Sequence, residues 1–555
     1  MSDRPPFRVP VGTAANPVLD LETLARLRSL GVSEELAEGV DLFRTGDSNP
    51  DLFVVESGRV DIIREATADS RARVVAQWQS GEFLGELSML TGQSSLLTAR
   101  MVEAGRVCRI PNATFRQLMS TDGPLSDLLL GTFRARRRLL MAAAEKTVEI
   151  LSHETSAAAM ALRTYARRME LPHHWVDVAS DAGRASLMAS GRTEAELPLV
   201  LTRGAVLASA TPSMLAEAVG LSYHGGITDD LDLVVVGAGP AGLAAGIYGA
   251  SEGLSTLVLD AMAPGGQAAA SSRIENYLGF PSGLSGAELT ELGIVQALKF
   301  GVRISAPGRV AGLVSGADRT EITLDDGARL TARAVVVATG ARYRRLPLER
   351  WQDFEGGSIF FAATELEARA CAGRPVVVVG GANSAGQAAL YLAGLGSTVH
   401  LVVRGGTITT KMSSYLVDRV ASHESIRIHT ATDVTGLHGD AHLESVTLTS
   451  SATGHSEPVA AAALFCFVGA VPGTDWLANA EIDSSGFLLT DVDLPSVEGD
   501  AAWSSLGRRP LSFETSIPRV FAAGDVRHGS MKRIAAAVGE GASAVASVHR
   551  ALATS

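Results

Sequence analysis

Gly237, Gly239 and Gly242 close an apolar run, Asp232-Leu-Val-Val-Val-Gly-Ala-Gly-Pro-Ala-Gly242, with the residue types and spacing that hold a pyrophosphate. Gly237 permits a tight turn, Gly239 offers bare backbone to the phosphates, and Gly242 lets a helix lie close on its strand. Pro240 and Ala241 open that helix, whose free N–H groups and positive dipole end would face the anion. A second strand, Ser255 to Leu259, ends at Asp260, placed to accept hydrogen bonds from an adenosine ribose. Strand, helix, second strand and acid in this order argue for a dinucleotide site; a glycine turn with a purely structural role is the alternative.

The elements that must position this site belong to a chain of 555 residues, long enough for several domains. A net charge of -12 argues against a general nucleic-acid binder. The run from Leu231 to Ala250 is apolar enough to pass for a membrane span, but its glycines and proline belong to the fingerprint. The N-terminus, Met-Ser-Asp-Arg-Pro-Pro, has no apolar secretory core, so a soluble, cytoplasmic protein without a membrane span is expected. Cys108, Cys371 and Cys466 stand apart, giving neither a disulfide framework nor zinc spacing, and no metal is expected.

Residues from about 20 to 120 read as short strands with glycine turns, followed by helices to about 145. Phe43-Arg-Thr-Gly-Asp47, Leu52-Phe-Val-Val-Glu-Ser-Gly-Arg-Val60 and Gly81-Glu-Phe-Leu-Gly-Glu86 resemble the cyclic-nucleotide-binding domain. The resemblance implies that the short helix after Gly85 faces a cyclic phosphate and that Glu86 holds the ribose 2′-hydroxyl. The family's phosphate-pairing arginine falls at Ser95, and Arg100 has the wrong spacing. A buried phosphate without its guanidinium loses a contact of ~1.5–3 kcal/mol. Cyclic-nucleotide binding and a ligand-free regulatory or docking module are both open. Residues 146–227 carry strands at Val148, Trp175, Leu197 and Ala205, with helices over Ser156 to Met169 and from Pro212. That order resembles a thioredoxin or glutaredoxin fold, with Pro198 in the place of its cis-proline and no cysteine near Ser152 to Ala159. It implies a redox-silent adaptor; a plain α/β linker domain is the other reading.

From about 228 onward the chain resembles the low-molecular-weight thioredoxin reductases. Pro264-Gly-Gly-Gln267 matches the loop along the flavin and ribityl chain, with Gly265, Gly266 and Gln267 as contacts. Glu275-Asn-Tyr-Leu-Gly-Phe-Pro281 brings Asn276 toward the isoalloxazine, and Val335-Val-Val-Ala-Thr-Gly340 supplies Ala338, Thr339 and Gly340 over the FAD. Val310 is a further FAD contact on this reading. Val520-Phe-Ala-Ala-Gly-Asp-Val526 supplies Gly524 and Asp525, the latter for ribityl hydroxyls. Lys532-Arg533-Ile534 stands where the family has Arg-Gln-Ala, so Arg533 and Ile534 face the flavin pyrimidine. A second fingerprint, Val376-Val-Val-Val-Gly-Gly-Ala-Asn-Ser-Ala385, resembles the inserted NADPH domain through Gly380, Gly381, Ala382, Asn383, Ser384 and Ala385. Ala382 replaces the middle glycine, and only Arg404 of the usual His-Arg-Arg remains for a 2′-phosphate. NADPH is preferred over NADH, and a degenerate domain that binds no nicotinamide is the alternative.

The dithiol of that family aligns with Ala362 and Glu365, so no thiolate attacker and no resolving partner exist there. Cys371 is the one candidate thiol nearby, more simply read as a small buried apolar residue. The expected architecture is multidomain. An N-terminal β-roll with helices (1–145) precedes a thioredoxin-like α/β domain (146–227). Two doubly wound, Rossmann-like domains follow, an FAD domain in two parts (228–345 and 465–555) around an NAD(P)H domain (346–464). The resemblance implies a homodimeric FAD-dependent oxidoreductase. Electrons would pass from NADPH to ferredoxin or flavodoxin, a quinone, dioxygen or a partner's disulfide. A regulatory sensor, in which flavin state or a nucleotide changes how the modules dock, is the alternative.

Overall fold

The computed structural model describes residues 10–553 except 48–49, 66–71, 86–87, 92–93, 96, 143–147, 155, 170, 172, 203–204, 222–229, 272–273, 275–276, 317, 356, 362, 364 and 496–500. Its first element is a helix, Leu21–Ser29, and not a strand. Leu21, Leu24 and Leu27 recur at helical spacing, Leu27 is fully buried, and the Asp20 carboxylate caps the Thr23 amide. Two antiparallel four-stranded sheets then form a β-roll. One orders Val32–Leu36, Gly105–Ile110, Leu52–Val55 and Phe83–Leu84, and the other Asp41–Phe43, Thr98–Glu103, Arg59–Arg64 and Arg73–Gln79. The helices Asn112–Thr121 and Gly123–Ala142 close it with Phe115 and Phe133, both fully buried.

The middle segment builds one sheet in the order His173–Asp177, Val148–Ser152, Leu199–Leu201, Val206–Leu207. Its first pair is parallel and the other two are antiparallel. Helices Ala157–Arg168, Asp181–Ser190 and Pro212–Ala218 complete a β-α-β-α-β-β-α order, and the Leu197–Pro198 peptide is cis. All five residues of Val148–Ser152 are buried, as expected of a central strand covered on both faces.

Beyond residue 230 lie a mixed seven-stranded sheet, parallel at its centre, and a parallel five-stranded sheet. Leu231–Val236 lies between Thr256–Leu259 and Arg329–Val337, parallel to both, and Val520–Ala522 returns to pair in parallel with Arg329–Val337. The chain therefore leaves this sheet and comes back to it, and a second sheet occupies the excursion. That sheet orders Ile359–Phe360, Ala463–Cys466, Val376–Val379, Val399–Val403 and Ile426–Thr430. A short ladder, Ala341–Tyr343 against Ala470–Pro472, joins the outgoing and returning chain. The C-terminal helix Ile534–Ala553 packs on helix Pro240–Ser251 closely enough that a Cβ on Gly541 would sit 2.1 Å from the Ala241 carbonyl oxygen. The run Leu231–Ala250 thus divides into a strand and a helix, and no helix among the described residues is long and apolar enough to cross a membrane.

Candidate nucleotide and redox site

The first fingerprint is built by close approach. Gly237 has φ +110, and a Cβ there would lie 2.3 Å from the Ala338 carbonyl oxygen. A Cβ on Gly242 would lie 1.7 Å from the Gly237 carbonyl oxygen, so only glycine lets the helix start against the strand. Gly239 differs. It is the residue before helix Pro240–Ser251, with φ -74, and a Cβ would meet nothing nearer than the Gly266 Cα at 3.8 Å. Its hydrogen faces space that the protein leaves open, as an approaching phosphate requires. A Cβ on Gly266 (φ +54) would lie 2.9 Å from the Gly239 Cα, so two bare backbones line one cradle. Gly265 donates to the Ala238 carbonyl at 2.7 Å and holds that loop in place.

Asp260 organises this cradle before any ligand enters. Its Oδ2 accepts the Ala238 amide at 2.9 Å, and its Oδ1 accepts Met262 and Ala263 at 2.9 and 3.0 Å. Burial raises its pKa, while those three amides and the charge of Arg168 oppose the rise. Around the turn, Thr339 Oγ1 donates to the Gly473 carbonyl at 2.8 Å, Gly340 has φ +62, and Gln267 Nε2 donates to the Ala341 carbonyl. Val310 places its side chain in the core at 6% exposure, among Ile322 and Leu324, so its side chain offers nothing to a ligand. Asn276, with Glu275 before it, lies outside the described residues.

At the returning strand Gly524 has φ +78, and its amide is fixed by Glu540 Oε2 at 2.7 Å. Glu540 also takes two bonds from Arg527, at 3.2 and 2.8 Å. Glu540 was not foreseen from sequence; it lies on the C-terminal helix, sixteen residues from the turn it anchors. Asp525 has no hydrogen-bond partner for its carboxylate among the described residues, and burial raises its pKa. Such a group suits hydroxyl donors. Lys532 donates to the Asp525 carbonyl at 3.1 Å with its ammonium 4.0 Å from the Phe487 ring centroid, in a left-handed backbone of φ +40. Arg533 is exposed beside Ile534, the first residue of the C-terminal helix.

The second fingerprint repeats the plan with less room. Gly380 has φ +147 and Ala385 packs against it; Gly381 lies under Val403, and Ala382 precedes helix Asn383–Gly394. Asn383 Oδ1 accepts the Ser413 amide at 2.7 Å, and Ser384 lies in the same first turn. Ala382 also forms a parallel bridge with Lys411, which brings a lysine backbone to the helix start. Lys411 carries no signal in the linear motif. Arg404 follows strand Val399–Val403, exposed and without an ion pair among the described residues.

Ala362 lies outside the described residues, and Glu365 begins helix Glu365–Ala370. Cys371 comes one residue after that helix and is 1% exposed; its thiol donates to the Glu367 carbonyl at 3.3 Å. Burial pushes that thiol up to about 11, which removes thiolate at neutral pH. Cys466 is fully buried, also up to about 11, in the cluster on the other face of the same sheet. All three cysteines are free and buried.

In the β-roll, Arg100 is bound to Asp41 at 2.6 and 3.2 Å and is not available to a phosphate. Ser95 is 5% exposed with no partner for its hydroxyl, and Glu86 lies outside the described residues. Gly85 accepts Arg136 Nη1 at 2.8 Å, and a Cβ on it would strike Leu52 and Phe133. The adjoining Ser94 amide donates to the Val219 carbonyl of the middle segment at 3.2 Å. The full chain should accordingly show no submicromolar binding of cAMP or cGMP by calorimetry; a tight complex would mean that another cation replaces the missing guanidinium.

Comparison with known proteins agrees with this geometry. The pyridine nucleotide-disulphide oxidoreductase family matches residues 231–541, more than half of the chain, and the cyclic nucleotide-binding domain matches residues 33–122. Thioredoxin reductase of Treponema pallidum is 32% identical over 318 residues, covering 56% of this chain and 94% of that protein. The 34.2 kDa protein in the rubredoxin operon of Clostridium pasteurianum is 29% identical, covering 56% and 94%. The solved thioredoxin reductase of T. acidophilum superposes with a TM-score of 0.50 at 26% identity, over 58% of this chain and 98% of its own. The chain belongs to the pyridine nucleotide-disulphide oxidoreductase family, as a thioredoxin reductase-like enzyme carrying an N-terminal cyclic nucleotide-binding domain. Thioredoxin reductase-family proteins bind FAD and NADPH.

Proposed function

We propose that this chain is an FAD-dependent NAD(P)H oxidoreductase with no internal disulfide step, delivering electrons to an acceptor outside its own sequence. The observation that carries this reading is that each of its three cysteines is single and buried. FAD held in the first fingerprint would supply the hydride acceptance from a nicotinamide and the onward electron transfer. The chain's part is positioning. The amides at the start of helix Pro240–Ser251 and the bare backbones of Gly239 and Gly266 hold a diphosphate. Asp525 accepts ribityl hydroxyls, and Lys532 and Arg533 set positive charge at the pyrimidine end. The turn from Gly380 to Ala385 holds the nicotinamide dinucleotide, with Arg404 at its 2′-phosphate. A ferredoxin or flavodoxin, a quinone, dioxygen or a partner's disulfide fits an acceptor that needs no thiol here.

The middle segment reads best as a redox-silent thioredoxin-like adaptor. Its strand order supports this, and Ser152 to Ala159 contain no cysteine. The contact of Ser94 with Val219 favours a regulatory role for the N-terminal part in addition. Stopped-flow absorbance tests the catalytic reading. NADPH should bleach the flavin rapidly, and Arg404→Ala should cut NADPH efficiency about tenfold while sparing NADH. Bleaching over minutes would favour a sensor, and equal losses for both nucleotides would remove Arg404 from the 2′-phosphate.

A further inference from the structure

The helix Ala157–Arg168 of the middle segment packs against the chain on either side of Asp260's sheet edge, at Ala263 and Ala306. Ser156 caps its start, and Tyr165, 2% exposed, donates its hydroxyl to the Ala306 carbonyl at 2.9 Å. Ala306 lies in a segment laced to Asp260: the Asp260 amide donates to Ser305 at 3.0 Å, and the Gly308 amide donates to Asp260 at 2.7 Å. Ala263, from the loop after Asp260, packs into the same core cluster as Tyr165 and Leu221. One turn beyond Tyr165, on the same helix face, stands Arg168.

The charge of Arg168 acts on Asp260, in the loop after strand Thr256–Leu259, and on Glu367 and Tyr343. Tyr343 is in turn within reach of Asp525. The helix end that carries Arg168 therefore lies on the side of the cradle where Asp260 holds the Ala238 amide, between Gly237 and Gly239. Arginine keeps its charge at any ordinary pH, and a largely desolvated guanidinium is costly without a counter-charge. Among the described residues it makes no ion pair or hydrogen bond. Asp260 does not serve as its partner, because both oxygens are committed to backbone amides. The FAD cradle, for its part, supplies no cation at this point: Gly239-Pro-Ala-Gly242 and Pro264-Gly-Gly-Gln267 contain no basic side chain.

We propose that Arg168 is a ligand of the FAD diphosphate, so that the middle domain completes the flavin site. The inference rests on the proposed reading that FAD occupies the first fingerprint. On this inference the middle domain supplies the diphosphate with a cation that the FAD domain's own loops lack.

The test uses the full chain, stripped of flavin and titrated with FAD by flavin fluorescence, with ADP as a competing diphosphate probe. Arg168→Met should weaken FAD and ADP alike by about tenfold or more, and Arg168→Lys should recover part of the loss. Tyr165→Phe, which loosens the docking bond and keeps the cation, should bind FAD within about threefold of wild type. Equal FAD affinity in Arg168→Met and wild type would overturn this inference alone. An equal loss in Tyr165→Phe would also overturn it, since docking and not charge would then set the affinity. A wild-type chain that takes up no FAD would overturn both this inference and the reading beneath it.

Discussion

Gly239→Val should give a folded protein that purifies almost free of flavin. The prediction is unusual for a fingerprint glycine, because the position itself carries no strain. Its φ of -74 lies in the range of any residue, and a Cβ would stand 3.8 Å from its nearest neighbour, ordinary van der Waals contact. A valine in this extended backbone is sterically comfortable. Its methyls would fill only the space kept for the diphosphate, displacing the phosphates from the helix amides at a cost of ~1–3 kcal/mol or more. Flavin content after purification and FAD affinity by titration should therefore fall by about tenfold at least, with the circular dichroism spectrum unchanged. Gly242→Val should behave oppositely and fail to fold, with a Cβ 1.7 Å from the Gly237 carbonyl oxygen. Full flavin content in Gly239→Val would place FAD elsewhere.

A second large effect concerns disulfide chemistry. The purified enzyme should oxidise NAD(P)H with artificial one- or two-electron acceptors and show no reduction of a standard thioredoxin. Disulfide exchange needs a thiolate attacker, and the thiol nearest the family's dithiol position, Cys371, is 1% exposed and pushed up to about 11. A pair with Cys466 is ruled out by packing, since the two thiols sit in clusters on opposite faces of one sheet. Cys371→Ser should leave acceptor reduction almost unchanged, because a hydroxyl there can donate to the same Glu367 carbonyl that now takes the thiol. Thioredoxin reduction that vanished in Cys371→Ser would make that cysteine the working thiol.

What the sequence revealed of this site depended on how local each determinant is. The turn at Gly237, the phosphate face at Gly239 and the packing at Gly242 are properties of a few adjacent residues, so spacing alone exposes them. Asp260 was visible as the acid ending the second strand, but its three amide bonds depend on how the loop to Ala263 folds back. Glu540 and Lys411 were invisible, since each reaches its place through packing or a bridge remote from the motif it serves. The helix Ala157–Arg168 is hidden more deeply: it lies in another segment altogether, and only its docking brings Tyr165 to the Ala306 carbonyl beside the Asp260 loop. Val310, named from the resemblance, has its side chain absorbed into the core, which leaves its backbone as the part that can face a ligand. The N-terminal helix Leu21–Ser29 escaped because the strand-rich resemblance was extended over a short 3.6-residue pattern.

The central claim is that the flavin is the only redox group in the chain, and anaerobic reductive titration of the purified holoenzyme tests it most directly. The account predicts complete bleaching with two electrons per FAD and no long-wavelength band of a thiolate–flavin complex. Uptake of four electrons per FAD, with such a band appearing midway, would contradict it.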